Sequence, residues 1–248
     1  MPLSSAGATP EGSQSEQEAS RWVRSMFGRV AHRYDLANHL LSANVDRYWR
    51  SHTVAQVREI LHRPDSRVMD LACGTGDLLV ALEREAGRAL YGSDFCHPML
   101  QGARNKLRRL TLRSGLLEAD ALALPLPDAS LDLITIAFGF RNFANYRAGL
   151  VELRRVLRPG GTLAILEFST PPNALFAGAY GWYSRKVLPV LGGAISGARD
   201  AYRYLPASVK KFPTAPELLT MMTECGFAEP KFEYLTFGIA ALHIGRRL

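Results

Sequence analysis

Residues 67 to 77 read Arg67-Val68-Met69-Asp70-Leu71-Ala72-Cys73-Gly74-Thr75-Gly76-Asp77, and no other stretch restricts the fold as much. An apolar strand runs into an acid, then a glycine turn, then a helical pattern from Leu78 to Glu85. Glycine admits positive φ and lets the backbone come close to a ligand. The N–H groups that open the following helix point at whatever sits there. Strand, glycine turn and helix in that order fit the crevice at the carboxyl end of a parallel sheet, and they predict a nucleotide-like cofactor.

A dinucleotide fingerprint needs Gly-x-Gly-x-x-Gly or Ala. Here Leu79 stands at the third position after Gly74 and Gly76, so pyrophosphate is not expected. A second strand, Ala89 to Asp94, ends in an acid that can hydrogen-bond both hydroxyls of a ribose. A third, Leu116 to Ala121, carries Asp120. There is no P-loop lysine. The set Asp70, Gly74-Thr75-Gly76, Asp94 and Asp120 resembles the S-adenosylmethionine site of class I methyltransferases. That cofactor has no phosphate; its ribose and ammonium suit acids better than they suit cationic donors.

The rest of the chain extends the pattern. Trp22, Met26 and Val30, then Leu36, Leu40 and Leu41, recur at helical spacing between Glu18 and Leu41. A second helix is expected from Asp46 to Leu61. Strands follow near 67–71, 89–93, 116–119, 131–137 and 162–168, with helices at 77–86, 97–109 and 145–156 between them. Arg158-Pro159-Gly160-Gly161 reads as a helix stop and turn. The alternation predicts an α/β, Rossmann-like, doubly wound parallel sheet. After Ser169 it breaks. Residues 170–212 carry Pro171-Pro172, many glycines and the aromatics Tyr180, Trp182, Tyr183, Tyr202 and Tyr204, and read as a helical and aromatic lid insertion. A helix is expected from Pro216 to Cys225. Two last strands, 230–236 and 239–245, are separated by little more than Phe237-Gly238, which forces an antiparallel pair and brings the sheet to seven strands.

The chain has 248 residues, enough for one large domain over 20–248, preceded by a Ser-, Gly- and Glu-rich tail of residues 1–19 that reads as disordered. A net charge of +7 is compatible with nucleic acid or with an anionic membrane surface. The basic run Arg104 to Arg109 reads as a solvated helix face. Cys73, Cys96 and Cys225 form no Cys-x-x-Cys pair or disulfide framework, which suits a reducing, cytoplasmic setting. No apolar run approaches the ~20 residues of a spanning helix, and no charged-then-apolar signal pattern is seen. His32, His39 and His62 lack metal-ligand spacing, so no metal is expected.

Strand four runs into Phe138-Gly139-Phe140-Arg141-Asn142-Phe143. Methyltransferases that act on base amines resemble one another in carrying Asn/Asp-Pro-Pro-aromatic here, and RNA cytosine-C5 enzymes carry Pro-Cys. Neither occurs, which argues against a nucleic-acid substrate despite the charge. Phe-Gly-Phe-Arg-Asn is a sharper signal. With Met26-Phe27 through Arg33-Tyr34-Asp35, Leu124-Pro125-Leu126-Pro127-Asp128, Leu157 to Gly161, Leu166-Glu167-Phe168-Ser169, Ser196 to Leu205 and Ala241 to Gly245, it resembles the ubiquinone/menaquinone biosynthesis C-methyltransferase family. The resemblance covers about residues 20 to 248. It implies C-methylation of a polyprenylated quinol, demethylmenaquinol first and a methoxy-polyprenyl-benzoquinol second. Thr75, Asp94 and Asp120-Ala121 match cofactor-contacting positions. Asp120 departs from the family's frequent Asn yet can still accept from an adenine amino group. Ala137 stands where some members have a serine. Another small aromatic substrate, an RNA substrate and a silent cofactor-binding module remain as other readings.

A quinol ring carbon becomes nucleophilic when a hydroxyl loses its proton. A phenol titrates near about pH 10, and a nearby cation lowers that value. The expectation is that Arg141 and Asn142 hold the quinol oxygen, directly or through a water, with Tyr34, Asp35 or His243 taking the proton. Arg141 cannot itself be a base. His243, in a strand, reads as a core histidine and stays outside the catalytic set. The apolar tail of such a substrate implies contact with the inner face of a membrane through residues 170–212 and Arg185, Lys186, Lys210 and Lys211. Oligomeric state, homo-oligomer included, stays open.

Overall fold

The computed structural model describes residues 7–8, 10, 13–31, 42, 44–173, 176–178, 181, 183 and 199–248, with only the backbone described for 199–203. Strands β1 (Val68–Leu71), β2 (Tyr91–Asp94), β3 (Gly115–Glu118), β4 (Leu131–Ala137), β5 (Leu157–Phe168), β6 (Phe227–Leu235) and β7 (Ala240–Arg247) form one sheet in the order β3-β2-β1-β4-β5-β7-β6. The first five are parallel to one another, and β7 runs antiparallel to both β5 and β6. Between β1 and β4 the strand order reverses, which opens a crevice at their carboxyl ends.

Alternation along the strands builds two cores. On β4 and β5, Ile134, Ile136, Leu163 and Ile165 face one way, against helices α5 (Tyr146–Val156) and α7 (Ala215–Glu224). Leu133, Ala164 and Leu166 face the other way, against α2 (Val45–Leu61), α3 (Asp77–Ala86) and α4 (His97–Arg109). A sheet covered on both faces needs near-continuous apolar strands, and Leu131 to Ala137 is one. Helix ends follow side-chain chemistry. Asn145 Oδ1 accepts from the Ala148 N–H at 2.9 Å to start α5, and Thr214 with Glu217 forms a capping box for α7.

Three boundaries depart from the sequence reading. Helix α1 covers Glu16–Val30 and is capped by Ser15, so it begins inside the expected 1–19 tail. Within that tail the Ala8 N–H donates to the Phe143 carbonyl at 2.8 Å, and Ala8 is buried. Strand β5 starts at Leu157, five residues early, because the turn at Gly160 (φ 77) is absorbed into the strand rather than preceding it. Strand β6 starts at Phe227 and contains Pro230. It is an edge strand with a register shift between Ala228 and Lys231, where a proline costs no ladder hydrogen bond. In the lid region, α6 covers Arg199–Lys211. Residues Tyr34, Asp35, Leu36 to Leu41, Tyr180, Trp182, Arg185 and Lys186 lie outside the described residues. Among the described residues no helix is long and apolar enough to cross a membrane.

Candidate active site

A cleft lies at the carboxyl ends of β1, β2 and β4, and Asp70, Gly74, Thr75, Asp94, Asp120 and Ala121 all line it. Gly76 adopts φ 85 at the start of α3, and a Cβ there would come within 3.3 Å of Ala103. The turn is fastened to the neighbouring strand: the Cys73 N–H donates to the Ser93 carbonyl at 2.9 Å, and the Gly74 N–H donates to Asp94 Oδ2 at 2.8 Å.

Each acid has a distinct environment. Asp94 is buried; its Oδ1 accepts from the Cys96 N–H at 2.8 Å. Two backbone donors fix the carboxylate and still leave lone pairs for a diol. Burial pushes its pKa up to about 6 against those donors. Asp70 is 1% exposed, and burial pushes it up to about 7. Its Oδ1 accepts from the Thr135 hydroxyl at 2.8 Å, whereas its Oδ2 makes no hydrogen bond. A buried, orphaned carboxylate oxygen is costly, and an ammonium group from a ligand would satisfy it. Asp120 is exposed, its Oδ1 accepting from the Leu122 N–H at 2.9 Å in an Asx turn. Phe95, Met99 and Leu122 line the same cleft, apolar surface on which a flat base can rest. Acids for a ribose and an ammonium, and no provision for phosphate, fit S-adenosylmethionine.

Phe27, Phe95, Phe138 and Phe143 also line the cleft. Phe138 follows β4 with φ 59, a region that bulky residues rarely occupy. Its ring lies 4.7 Å from Phe168 and 5.8 Å from Trp49. The strained turn is tied down: the Phe138 N–H donates to the Leu166 carbonyl at 2.8 Å, and Arg141 Nη1 donates to the Phe138 carbonyl.

Asn142 and Arg141 part company here. Asn142 lines the cleft, and its Oδ1 accepts from the Tyr204 hydroxyl of α6 at 3.1 Å. Arg141 does not line it. Its Nη1 pairs with Glu167 Oε1 at 2.8 Å, its backbone N–H donates to Glu167 Oε2 at 3.1 Å, and both side chains are buried. An acid on β5, 26 residues away, pairs with Arg141 inside the protein. His243 matches its reading as a core residue. Its Nε2 pairs with the Ala215 carbonyl at 2.9 Å, and burial lowers its pKa to about 4, so it is neutral. Glu167 and Arg50 were not singled out from sequence, whereas Phe138 was legible within the Phe-Gly-Phe-Arg-Asn segment. Glu167 was legible only as part of a shared segment, and Arg50 not at all, since its facing depends on how α2 packs.

Comparison with known proteins bears on the family and the fold. The model of the ubiE/COQ5 methyltransferase family matches residues 13–247. The chain is 51% identical to a demethylmenaquinone methyltransferase of Thermus thermophilus over 223 residues, covering 90% of this chain and 100% of that one. It is 45% identical to a ubiquinone/menaquinone biosynthesis C-methyltransferase of Syntrophotalea carbinolica, covering 91% and 94%. Among solved structures, a possible histamine N-methyltransferase of Thermotoga maritima superposes with a TM-score of 0.64 at 19% identity, covering 90% of this chain and 99% of that one, a likeness of fold.

Proposed function

The chain belongs to the ubiE/COQ5 methyltransferase family, and from that premise we propose that it C-methylates demethylmenaquinol to menaquinol. It is an S-adenosylmethionine-dependent methyltransferase of quinone biosynthesis. The observation that supports the substrate is the aromatic lining of the cleft, Phe138 and Phe143 beside Asn142, with Phe168 and Trp49 packed on Phe138. A flat, fused ring needs such a wall and few polar groups.

When bound, the cofactor supplies an electrophilic methyl group on a sulfonium. The chain does the rest by placement, which accelerates such displacements strongly. Asp70 and Asp94 hold the cofactor end of the cleft. The Asn142 amide holds the quinol oxygen, and the buried Arg141–Glu167 pair sets the Phe138–Asn142 turn from behind. As the quinol oxygen gives up its proton to water, electron density reaches the ring carbon; the carbon gains the methyl group and then loses its hydrogen to water as a proton.

The finer partner is an anionic membrane carrying the isoprenoid quinol. Exposed Lys210 and Lys211 at the end of α6, and Phe237, 77% exposed at the tip between β6 and β7, support it. Co-sedimentation with anionic vesicles at low salt checks this contact. The decisive assay is methyl transfer from labelled S-adenosylmethionine to reduced demethylmenaquinone, with the product identified by mass. Labelled menaquinone supports the reading. Transfer only to a methoxy-polyprenyl-benzoquinol moves the substrate to the ubiquinone branch.

A further inference from the structure

We infer that Arg50 is the carboxylate-binding residue of the cofactor site, gripping the amino-acid end of S-adenosylmethionine opposite Asp70. The inference rests on the cleft being that cofactor's site. Charge is the starting point. The described residues that line the cleft include four acids, Asp70, Asp77, Asp94 and Asp120, and a single cation, Arg50. The cofactor brings one carboxylate into this acidic surrounding, and an anion needs a partner there. Among the described residues of the lining, Arg50 is the side chain that can serve.

Its position suits the task. Arg50 projects from α2 with its side chain largely buried, and its charge reaches Asp70, lowering that carboxyl's pKa against the larger effect of burial. The guanidinium is pre-set rather than mobile. Asp46, one helical turn back, binds Nη1, and Ser42 in turn donates to Asp46 at 2.6 Å. The Arg50 Cζ lies 5.5 Å from the centre of the Phe138 ring. Nη2 stands 3.7 Å from Asp77, too far for a direct hydrogen bond, so that edge of the fork retains donors for a carboxylate. Asp70 and Arg50 would then read the two ends of a zwitterion, an orphaned acceptor for the ammonium and a planar fork for the carboxylate.

Binding measurements with ligands that differ only at this end test it. S-adenosylhomocysteine carries the amino-acid group; 5′-methylthioadenosine lacks it. By calorimetry, Arg50→Met should weaken S-adenosylhomocysteine roughly 10- to 100-fold, the worth of a buried charge-assisted contact, and leave methylthioadenosine within about twofold. Arg50→Lys should recover part of the loss. In the wild-type protein, the decarboxylated thioether that keeps the amine should bind weaker by a similar factor, a result independent of how any variant folds. Equal affinity of that analogue and S-adenosylhomocysteine for wild type overturns the proposal. So does a change confined to the quinol KM. Equal loss of both nucleosides in Arg50→Met and Arg50→Lys makes Arg50 a structural bracket, and failure of wild type to bind either nucleoside rejects the cofactor site itself.

Discussion

Arg141 and Glu167 form a buried ion pair, Nη1 to Oε1 at 2.8 Å, behind the turn that carries Asn142 into the cleft. Removing one member of a buried pair leaves the other charge unpaired, which costs roughly 3–5 kcal/mol. Arg141→Ala should therefore lose stability of that size in urea unfolding, as well as turnover. Replacing both members, as in Arg141→Met with Glu167→Leu, should restore most of the stability but not the turnover, because the Phe138 carbonyl loses the Arg141 donor and keeps only the long 3.5 Å bond from Asn142 Nδ2. A stable Arg141→Ala single variant would show that the pair does not hold the turn.

Gly139 tests the same turn from the other side. A Cβ there would sit 2.5 Å from the Ala72 Cβ, on backbone that the Cys73–Ser93 hydrogen bond holds in place. Gly139→Ala should push the Asn142 segment away from the glycine turn. Displacement by about 1 Å at a reacting centre costs on the order of 100-fold in rate. The expected result is a fall in kcat of that order while circular dichroism stays native. Turnover near wild type would mean the turn tolerates the shift.

What was legible in the sequence follows the range of each physical signal. The glycine turn, the acids at the ends of β1 and β2, and the alternation of β4 are local and were readable residue by residue. Helices α3 and α4 fall where their apolar spacing put them, at Asp77–Ala86 and His97–Arg109. Strand β6 was read as starting too late because Pro230 and the bulge beside it mask its alternation, and only its place at the sheet edge makes them acceptable. Arg141 was picked out, but its pairing was not legible, since the Glu167 that pairs with it comes from a different strand. Arg50 gives no local signal: a helix face is defined only once α2 has docked against the sheet.

Tyr204 links α6 to the cleft. Its hydroxyl donates to Asn142 Oδ1 at 3.1 Å, and its ring lies 5.1 Å from Trp22 of α1. Burial raises its pKa to about 12, so it acts as a donor and not as a base. Tyr204→Phe removes that donor while keeping the ring contact. Stability should fall by less than about 1.5 kcal/mol. The Asn142 amide would be free to turn, and quinol kcat/KM should fall about 10-fold with unchanged S-adenosylhomocysteine affinity. An unchanged kcat/KM would separate Tyr204 from the substrate.

The buried acids make a signed prediction about pH. Asp70 is raised to about 7 and Asp94 to about 6 by burial, against about 3.9 in an unfolded chain. Between those values the ligand-free folded state holds more protons than the unfolded state. Stability is thus fully present below about pH 4 and is lost as pH rises through 6 and 7. His243, lowered to about 4, acts in the opposite sense below about pH 6.5, but it is one group against two. Unfolding free energy of the ligand-free protein should fall by a few kcal/mol, on the order of the combined shifts, between pH 4.5 and 8. Asp70→Asn should flatten the upper part of that slope. A ligand ammonium against Asp70 reverses the preference and favours the carboxylate. S-adenosylhomocysteine should therefore release most of a proton on binding at pH 6 and almost none at pH 8.5, read as the dependence of binding heat on buffer ionisation enthalpy. Methylthioadenosine, without the ammonium, should release much less. Equal proton release by the two ligands would place the titrating group elsewhere than Asp70.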